Sequence, residues 1–363
     1  MQTEPPPSSD SLQTQIDLYS SPADPKLYVH EEGMKARCLS CAHRCLIGPG
    51  NRGICRIRYN LDGVIYAPSG YVAGLQIDPM EKKPFYHVTP GGRVLSFGML
   101  GCNFHCDFCQ NWVSSQALRD PRALSGFTPC TADSLVEFAL KHHLPTLVST
   151  YNEPFITADW AARVFERAKG HRLLCGFVSN GYATPEVLEY LHPFMDFCNV
   201  DLKCFSEAGY SRLGGRLKPV LDTIEHLFVS GCWVEIVTLV VPGFNDRPEE
   251  LRDIAAFLAS LSKEIPWHVT AFYPTYKRTD APHTAPRLLE RAWNIGKETG
   301  LHYVYTGNMA GKMGNCENTF CPRCGNLLIE RRGFHLLQNR VTNEACPHCG
   351  TDIAGRLLDT PTP

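Results

Sequence analysis

No run of the 363-residue sequence is apolar for long enough to cross a bilayer, and no charged-then-apolar leader is present. Neither a transmembrane helix nor a secretory signal is therefore expected. An excess of either charge is missing too. The chain has 35 Lys and Arg against 37 Asp and Glu, a formal charge of −2, and a pI near 6.7. That balance gives no electrostatic footprint for nucleic acid or an anionic membrane surface. What the chain has in plenty is cysteine, 17 residues. Most fall in groups with metal-ligand spacing, which points to a reducing, cytoplasmic setting rather than a disulfide framework. The 44% hydrophobic and 20% charged residues describe an ordinary globular protein, long enough to bury a substantial core.

The first group is RVLSFGMLGCNFHCDFCQNW, residues 93–112. An apolar run over 94–100 reads as a buried strand. Cys102, Cys106 and Cys109 follow at once, spaced C-x3-C-x2-C. Three thiolates on one tight loop can hold three irons of a [4Fe–4S] cube, leaving the fourth iron open to a chelating cofactor or substrate. The competing reading, a partial zinc site, lacks the fourth ligand and the second C-x2-C knuckle.

Two further groups flank this one. Cys38, Cys41, Cys45 and Cys55 surround the turn GPGNRG, a set compatible with zinc or with an auxiliary iron–sulfur centre. His43 is a substitute ligand there, and four unmetallated buried thiols are the third reading. Cys321, Cys324, Cys346 and Cys349 lie in CPRCG and CPHCG, paired knuckles that read as a zinc ribbon with strands over 327–330 and 334–337. Cys316 is read as unpaired. Cys130, Cys175, Cys198, Cys204 and Cys232 are expected as buried apolar filler.

Organisation follows from these groups. Residues 1–25 are Pro/Ser-rich and read as a disordered tail. A four-cysteine module is expected over 26–68, a barrel with its connector over 69–310, the ribbon over 311–355 and a short tail over 356–363. The connector reads as loop-rich by composition, and within it Glu81, Lys82 and Lys83 read as a solvated charge run. After residue 112, apolar strands alternate with helix-length segments, the pattern of a parallel α/β fold with chemistry at the strand carboxyl ends. Strands are expected at 94–97, 146–150, 174–178, 198–202, 233–240, 269–272 and 303–306. Helices are expected at 132–141, 158–169, 185–191, 247–262 and 286–299.

The C-x3-C-x2-C spacing with Phe108 before its last cysteine resembles the radical S-adenosylmethionine (SAM) signature. Together with CLSCAHRC, DPMEKKPFYH, TYNEP, SNGY, DLK, VTLVVPGFND and YVYTGN, it resembles the radical SAM proteins of the AmmeMemoRadiSam system, relatives of pyruvate formate-lyase activating enzymes. The resemblance spans residues 26–355. It implies a partial (β/α)6-type barrel, SAM bound to a [4Fe–4S] cluster, and a 5′-deoxyadenosyl radical that abstracts hydrogen from a substrate, possibly a protein. It also implies an electron donor such as a flavodoxin or ferredoxin, and Memo-like and AMMECR1-like partners. At the strand ends, Tyr151, Asn152 and Glu153 are expected along the amino acid part of SAM. Asn180 is expected near its ribose, and Asp201, Lys203 and Thr238 complete the set. Asp201 and Lys203 are carried over from the Asp-x-Lys of the activating enzymes. The different-class alternative is a zinc-ribbon scaffold or adaptor with a non-catalytic barrel. The amino-terminal module is expected to close the barrel mouth, with the ribbon further away.

Overall fold

The structure is a computed structural model that describes residues 11–357; residues 1–10 and 358–363, the outer parts of the two expected tails, lie outside the described residues. Its centre is an eight-stranded sheet. In chain order the strands are β1 (Gly74–Pro79), β2 (Arg93–Gly98), β3 (Thr146–Ser149), β4 (Leu174–Ser179), β5 (Phe197–Asp201), β6 (Trp233–Val240), β7 (Trp267–Ala271) and β8 (Val304–Gly307). They lie side by side in that order. β2 to β8 run parallel, and β1 joins the β2 edge antiparallel.

Alternation along each strand assigns two faces. Leu95, Phe97, Leu147, Cys175, Phe177, Cys198, Val200, Val234, Ile236 and Val269 belong to one large core shared with the helices. Val94, Val148, Val178, Phe197 and Trp233, from the opposite parity, pack instead on Met80, Phe85 and Val88 of the connector. The Phe85 and Phe197 rings meet edge to face at 4.7 Å. The connector expected to be a loop is therefore the plug of the sheet's second face, and truncating Phe85 should cost about 3–5 kcal/mol.

The carboxy-terminal module covers the neighbouring part of that face. Tyr86, Tyr303 and Tyr305 share a buried cluster with Leu328, Ile329, Ile353 and Leu357. Its three strands, Thr319–Phe320, Leu327–Arg332 and His335–Asn339, form an antiparallel sheet.

Several expectations need correction. Residues 11–25 are not loose. Ser11 caps helix Leu12–Leu18, and Ile16 is fully buried. Strand Ser20–Pro22 pairs with Val64–Pro68, while Tyr19 packs on Phe127 at 5.3 Å. So short a helix shows little period of its own; distant partners hold it. Helices Glu207–Leu213 and Leu217–Val229 were not among the expected ones. They are separated by Gly214, whose φ of +93° and closeness to the His105 ring leave no room for a side chain. The charge run also divides: Lys82 is half exposed, but Glu81 and Lys83 are buried in ion pairs.

Candidate functional site

The loop after β2 is held from several sides. Gly101, at φ +95°, lies against Ile57 and Cys55 so closely that a Cβ would stand 2.9 Å from Ile57 Cγ2. Gly101 N–H donates to Ser114 O, and His105 N–H to Leu213 O. Gln116 Nε2 and Arg119 Nη1 both donate to Phe104 O. The N–H groups of Lys277 and Arg278 donate to Asp107 O. Trp112 stacks on Tyr276 at 5.1 Å. The three thiols are thus presented by a loop fixed at each end.

Their surroundings fit thiolates bound to metal. Phe104 N–H donates to Cys102 Sγ at 3.3 Å, and Cys109 Sγ lies 3.3 Å from Ser115 Oγ. Burial and the nearby Glu153 carboxylate push the Cys102 thiol up. Burial pushes Cys106 up to about 12 and raises Cys109. Cysteines so placed are poor thiolates on their own and good ones beside a cation. No three of the four groups Cys102, Cys106, Cys109 and Glu153 bring their ligand atoms within 4.8 Å of one another. That suits separate irons better than one shared ion.

Next to this loop lie the carboxyl ends of the parallel strands and a cavity of about 340 Å³. Its lining includes Gln110 and Asn111, directly after Cys109, with Thr150, Tyr151, Asp201, His268, Thr270 and Asn308. A larger groove of about 610 Å³ runs past Arg44, Thr184, Arg216 and His226 and holds none of the expected SAM residues.

Of the expected SAM residues, Tyr151 and Asp201 line the cavity, Lys203 is bonded to Asp201, and the others are held by protein neighbours. Asp201 Oδ2 takes a 3.0 Å hydrogen bond from Lys203 Nζ. Burial would lower the Lys203 ammonium, but Asp201 and the sulfurs of Cys106 and Cys109 hold it raised. Tyr151 also lines the cavity, at φ +72°, a conformation that costs a bulky residue of order 1–3 kcal/mol. Gly98 and Gly74 make it possible, since a Cβ on either would press on Tyr151. Its hydroxyl donates to Asp78 Oδ2 and accepts from Lys83 Nζ.

Glu153 does not line the cavity. Oε1 accepts from Ser179 Oγ and Phe155 N, and Oε2 from Asn180 N. Burial lifts its carboxyl to about 7. Its three donors are protein groups tying the ends of β3 and β4 together. Asn152 Oδ1 accepts from Met99 N. Asn180 Nδ2 donates to Asn103 Oδ1 at 2.7 Å, and Tyr182 is buried behind it. The amide expected at a ribose here braces the cysteine loop. Phe108 is buried against Phe244 at 5.3 Å.

Thr238 is fully buried; its hydroxyl donates to Leu202 O and accepts from Trp267 Nε1. The reason is register. Asp201 lies opposite Val237, so Val237 shares the cavity side and Thr238 faces the helices.

The residues missed from the sequence are the connector's. Asp78 bonds Lys82, Lys83 and Tyr151. Burial alone would raise its carboxyl, yet these donors hold it down to about 2. Glu235 takes hydrogen bonds from Tyr86 N, His87 N and His268 Nε2. For Asp78 the signal was the alternation of Gln76 and Asp78 in β1, which the reading of the connector as a loop passed over; Glu235 lies in an expected strand but was given no role.

The other two cysteine groups differ in gauge. Cys321 Sγ and Cys349 Sγ are 3.6 Å apart, and Cys324 Sγ and Cys346 Sγ 3.7 Å. Among the described residues these four alone bring their ligand atoms within 4.8 Å of one another. Cys38, Cys41 and Cys55 are buried, and Cys45 partly so. Their module packs on the cysteine loop, not on the cavity. His43 Nε2 bonds Asn103 O, and Ala42 N–H donates to Tyr182 O. By contrast Phe334, from the carboxy-terminal hairpin, lines the cavity. The amino-terminal module thus lies beside the cysteine loop, and the carboxy-terminal hairpin reaches nearer the cavity than expected. Cys175, Cys198, Cys204 and Cys232 are buried, while Cys130 and Cys316 are partly exposed.

A parallel α/β sheet with a three-cysteine loop after its first parallel strand defines a class. The radical SAM superfamily model matches residues 98–258. The uncharacterized protein MJ0808 of Methanocaldococcus jannaschii is 38% identical over 323 residues, 88% of this chain and 95% of that protein. The uncharacterized protein MJ0674 of the same organism is 25% identical over 281 residues, 74% and 76%. The chain belongs to the radical SAM superfamily. Among solved structures it is similar to a domain of pyruvate-formate lyase-activating enzyme from Bacteroides vulgatus (16% identity, TM-score 0.39, 44% of this chain and 98% of that one). It is also similar to a radical SAM methyltransferase from Sphaerobacter thermophilus (17%, 0.44, 66% and 71%). Membership implies an enzyme that binds SAM and a [4Fe–4S] cluster. No helix among the described residues is long and apolar enough to cross a membrane.

Proposed function

We propose that this chain is a radical SAM enzyme of the AmmeMemoRadiSam type, acting on a substrate held in the 340 Å³ cavity. The observation that carries this reading is a convergence. The three loop thiols, the Asp201–Lys203 pair and the cavity meet at the carboxyl ends of the parallel strands. Cys102, Cys106 and Cys109 would hold the cluster. With SAM bound, that group would supply one-electron reductive cleavage of the sulfonium, the chemistry that starts hydrogen abstraction from a substrate.

The chain's own residues do the rest. Lys203, held protonated by Asp201, offers a cation to a carboxylate. Glu153, Asn152 and Asn180 act as positioning residues that fix the loop and the strand ends around it. The Asp78–Lys83–Tyr151 group forms the polar wall opposite, and the plug around Phe85 excludes water from below. Zinc in Cys321, Cys324, Cys346 and Cys349 would be structural, since four thiolates leave no open position. A flavodoxin or ferredoxin as electron donor and Memo-like or AMMECR1-like partners belong to this reading by resemblance.

The test is product analysis of anaerobically reconstituted protein with SAM and a strong reductant. Replacing Cys102, Cys106 and Cys109 with Ala should abolish 5′-deoxyadenosine formation; continued cleavage would sink the assignment. Lys203→Ala should weaken SAM binding roughly ten- to a hundredfold, the equivalent of a lost charge-assisted bond. Unchanged affinity in a folded, cluster-loaded variant would remove Lys203 from the site.

A further inference from the structure

The four cysteines of the amino-terminal module are not arranged as a zinc site. Zinc binds thiolates at about 2.3 Å, so its four sulfurs stand roughly 3.8 Å apart. The carboxy-terminal quartet meets that gauge, with pairs at 3.6 and 3.7 Å. Among Cys38, Cys41, Cys45 and Cys55, no three sulfurs come within 4.8 Å of one another. They are nonetheless neighbours: Cys38 lies close enough to act electrostatically on Cys41, Cys45 and Cys55. The sulfurs of Cys102, Cys106 and Cys109 likewise do not all lie within 4.8 Å of one another. A cube gives each thiolate its own iron, so its ligands must stand apart.

Donors surround the sulfurs. Ile54 N–H donates to Cys45 Sγ at 3.5 Å. The backbone N–H of His43 serves Cys41, and those of Ile57 and Arg58 serve Cys55. The Asn103 side chain also serves Cys41, while Ser40 Oγ, between Cys38 and Cys41, has no hydrogen-bond partner. Both residues are fully buried. An unpaired buried hydroxyl next to thiols is costly unless an acceptor joins it, and the inorganic sulfides of a cluster are acceptors.

We infer that Cys38, Cys41, Cys45 and Cys55 bind a second iron–sulfur cluster, fully ligated by protein and without an open iron. It adjoins the SAM cluster: Asn103 follows Cys102 in sequence and meets the Cys41 side. Four thiolates leave it no position for SAM, so it is a separate centre.

The experiment is iron, sulfide and zinc analysis with Mössbauer spectroscopy on the full chain, reconstituted anaerobically. The wild type should hold about eight irons, two cubes' worth. The Cys102/Cys106/Cys109→Ala variant should retain about half of that iron and none of the SAM-dependent change in its spectrum. Adding Cys45→Ser, at the least buried ligand, should cut the remaining four-iron signal. Wild-type iron of about four, or a triple variant carrying a second zinc or no metal beside the ribbon's, would overturn the inference. If the triple variant fails to fold, the wild-type count and its number of cluster environments decide alone.

Discussion

Two four-cysteine modules flank the barrel, and they differ in gauge and in what they touch. The carboxy-terminal sulfurs close to within 4.8 Å of one another and the amino-terminal ones do not. The tight module packs on the connector and reaches the cavity through Phe334. The wide one packs on the cysteine loop through Cys55, Ile57 and His43. Equal cysteine counts therefore conceal different placements, one module against the cysteine loop and the other reaching the cavity.

Both modules are pinned by a buried arginine, which gives the sharpest way to separate them. Arg58 pairs with Asp159 at 2.7 Å, with side chains 1% and 5% exposed. Arg331 pairs with Glu81 at 3.4 Å, both fully buried, and also bonds Thr319 Oγ1 and Tyr86 O. Removing one partner of a buried pair strands the other charge and costs about 3–5 kcal/mol. Arg58→Ala and Arg331→Ala should each lose that much in denaturant unfolding. They should differ in metal: Arg58→Ala should lower retained iron at the amino-terminal module, and Arg331→Ala should lower retained zinc. If both variants shed the same metal, the modules do not behave as separate units.

The sequence made the strands and the cysteine groups legible, because period-2 apolar runs and C-x2-C spacings are local signals. All seven parallel strands fall within a few residues of the expected positions. The connector was not legible. Lys82 and Lys83 are adjacent and chemically alike, yet only Lys83 is buried, against Asp78 and Tyr151. That difference depends on β1 pairing with β2, a contact no local pattern announces. The same holds for Thr238, which a one-residue parity turns away from the cavity, and for Glu153 and Asn180, whose partners come from other strand ends. Polar residues at strand ends can be found from sequence; whether they face a ligand or brace one another is a matter of register.

Acid should act on the carboxy-terminal side. His87 is fully buried; its Nδ1 lies 2.7 Å from Ala354 O and its Nε2 2.7 Å from Tyr305 Oη. A carbonyl only accepts, so Nδ1 carries the proton and Nε2 accepts from the tyrosine hydroxyl. Burial lowers this imidazole to about 4, below the 6.5 of an unfolded histidine. The unfolded chain then binds the extra proton first as pH falls. Its stabilising contribution is full above pH 6.5 and is lost as pH falls to about 4, about 3 kcal/mol in all. Unfolding free energies measured at pH 7 and at pH 4 should fall more steeply for wild type than for His87→Gln by about that amount. Equal slopes would mean that the histidine is not held neutral.

The smallest expected effect tests the hairpin's place at the cavity. Phe334 is 42% exposed at the tip between strands Leu327–Arg332 and His335–Asn339, and it lines the cavity. It is among the exposed large apolar side chains, so Phe334→Ala should change stability by no more than about 0.5 kcal/mol. The Asp201–Lys203 pair lies at the end of β5, where the hairpin places no side chain other than Phe334 in the cavity lining. SAM affinity should therefore stay within about twofold of wild type, a change of less than roughly 0.5 kcal/mol. Isothermal titration of the cluster-loaded protein with SAM measures this directly. A tenfold or larger loss would place the hairpin at the cofactor rather than on the substrate side. The division of labour between the two modules would then have to be redrawn.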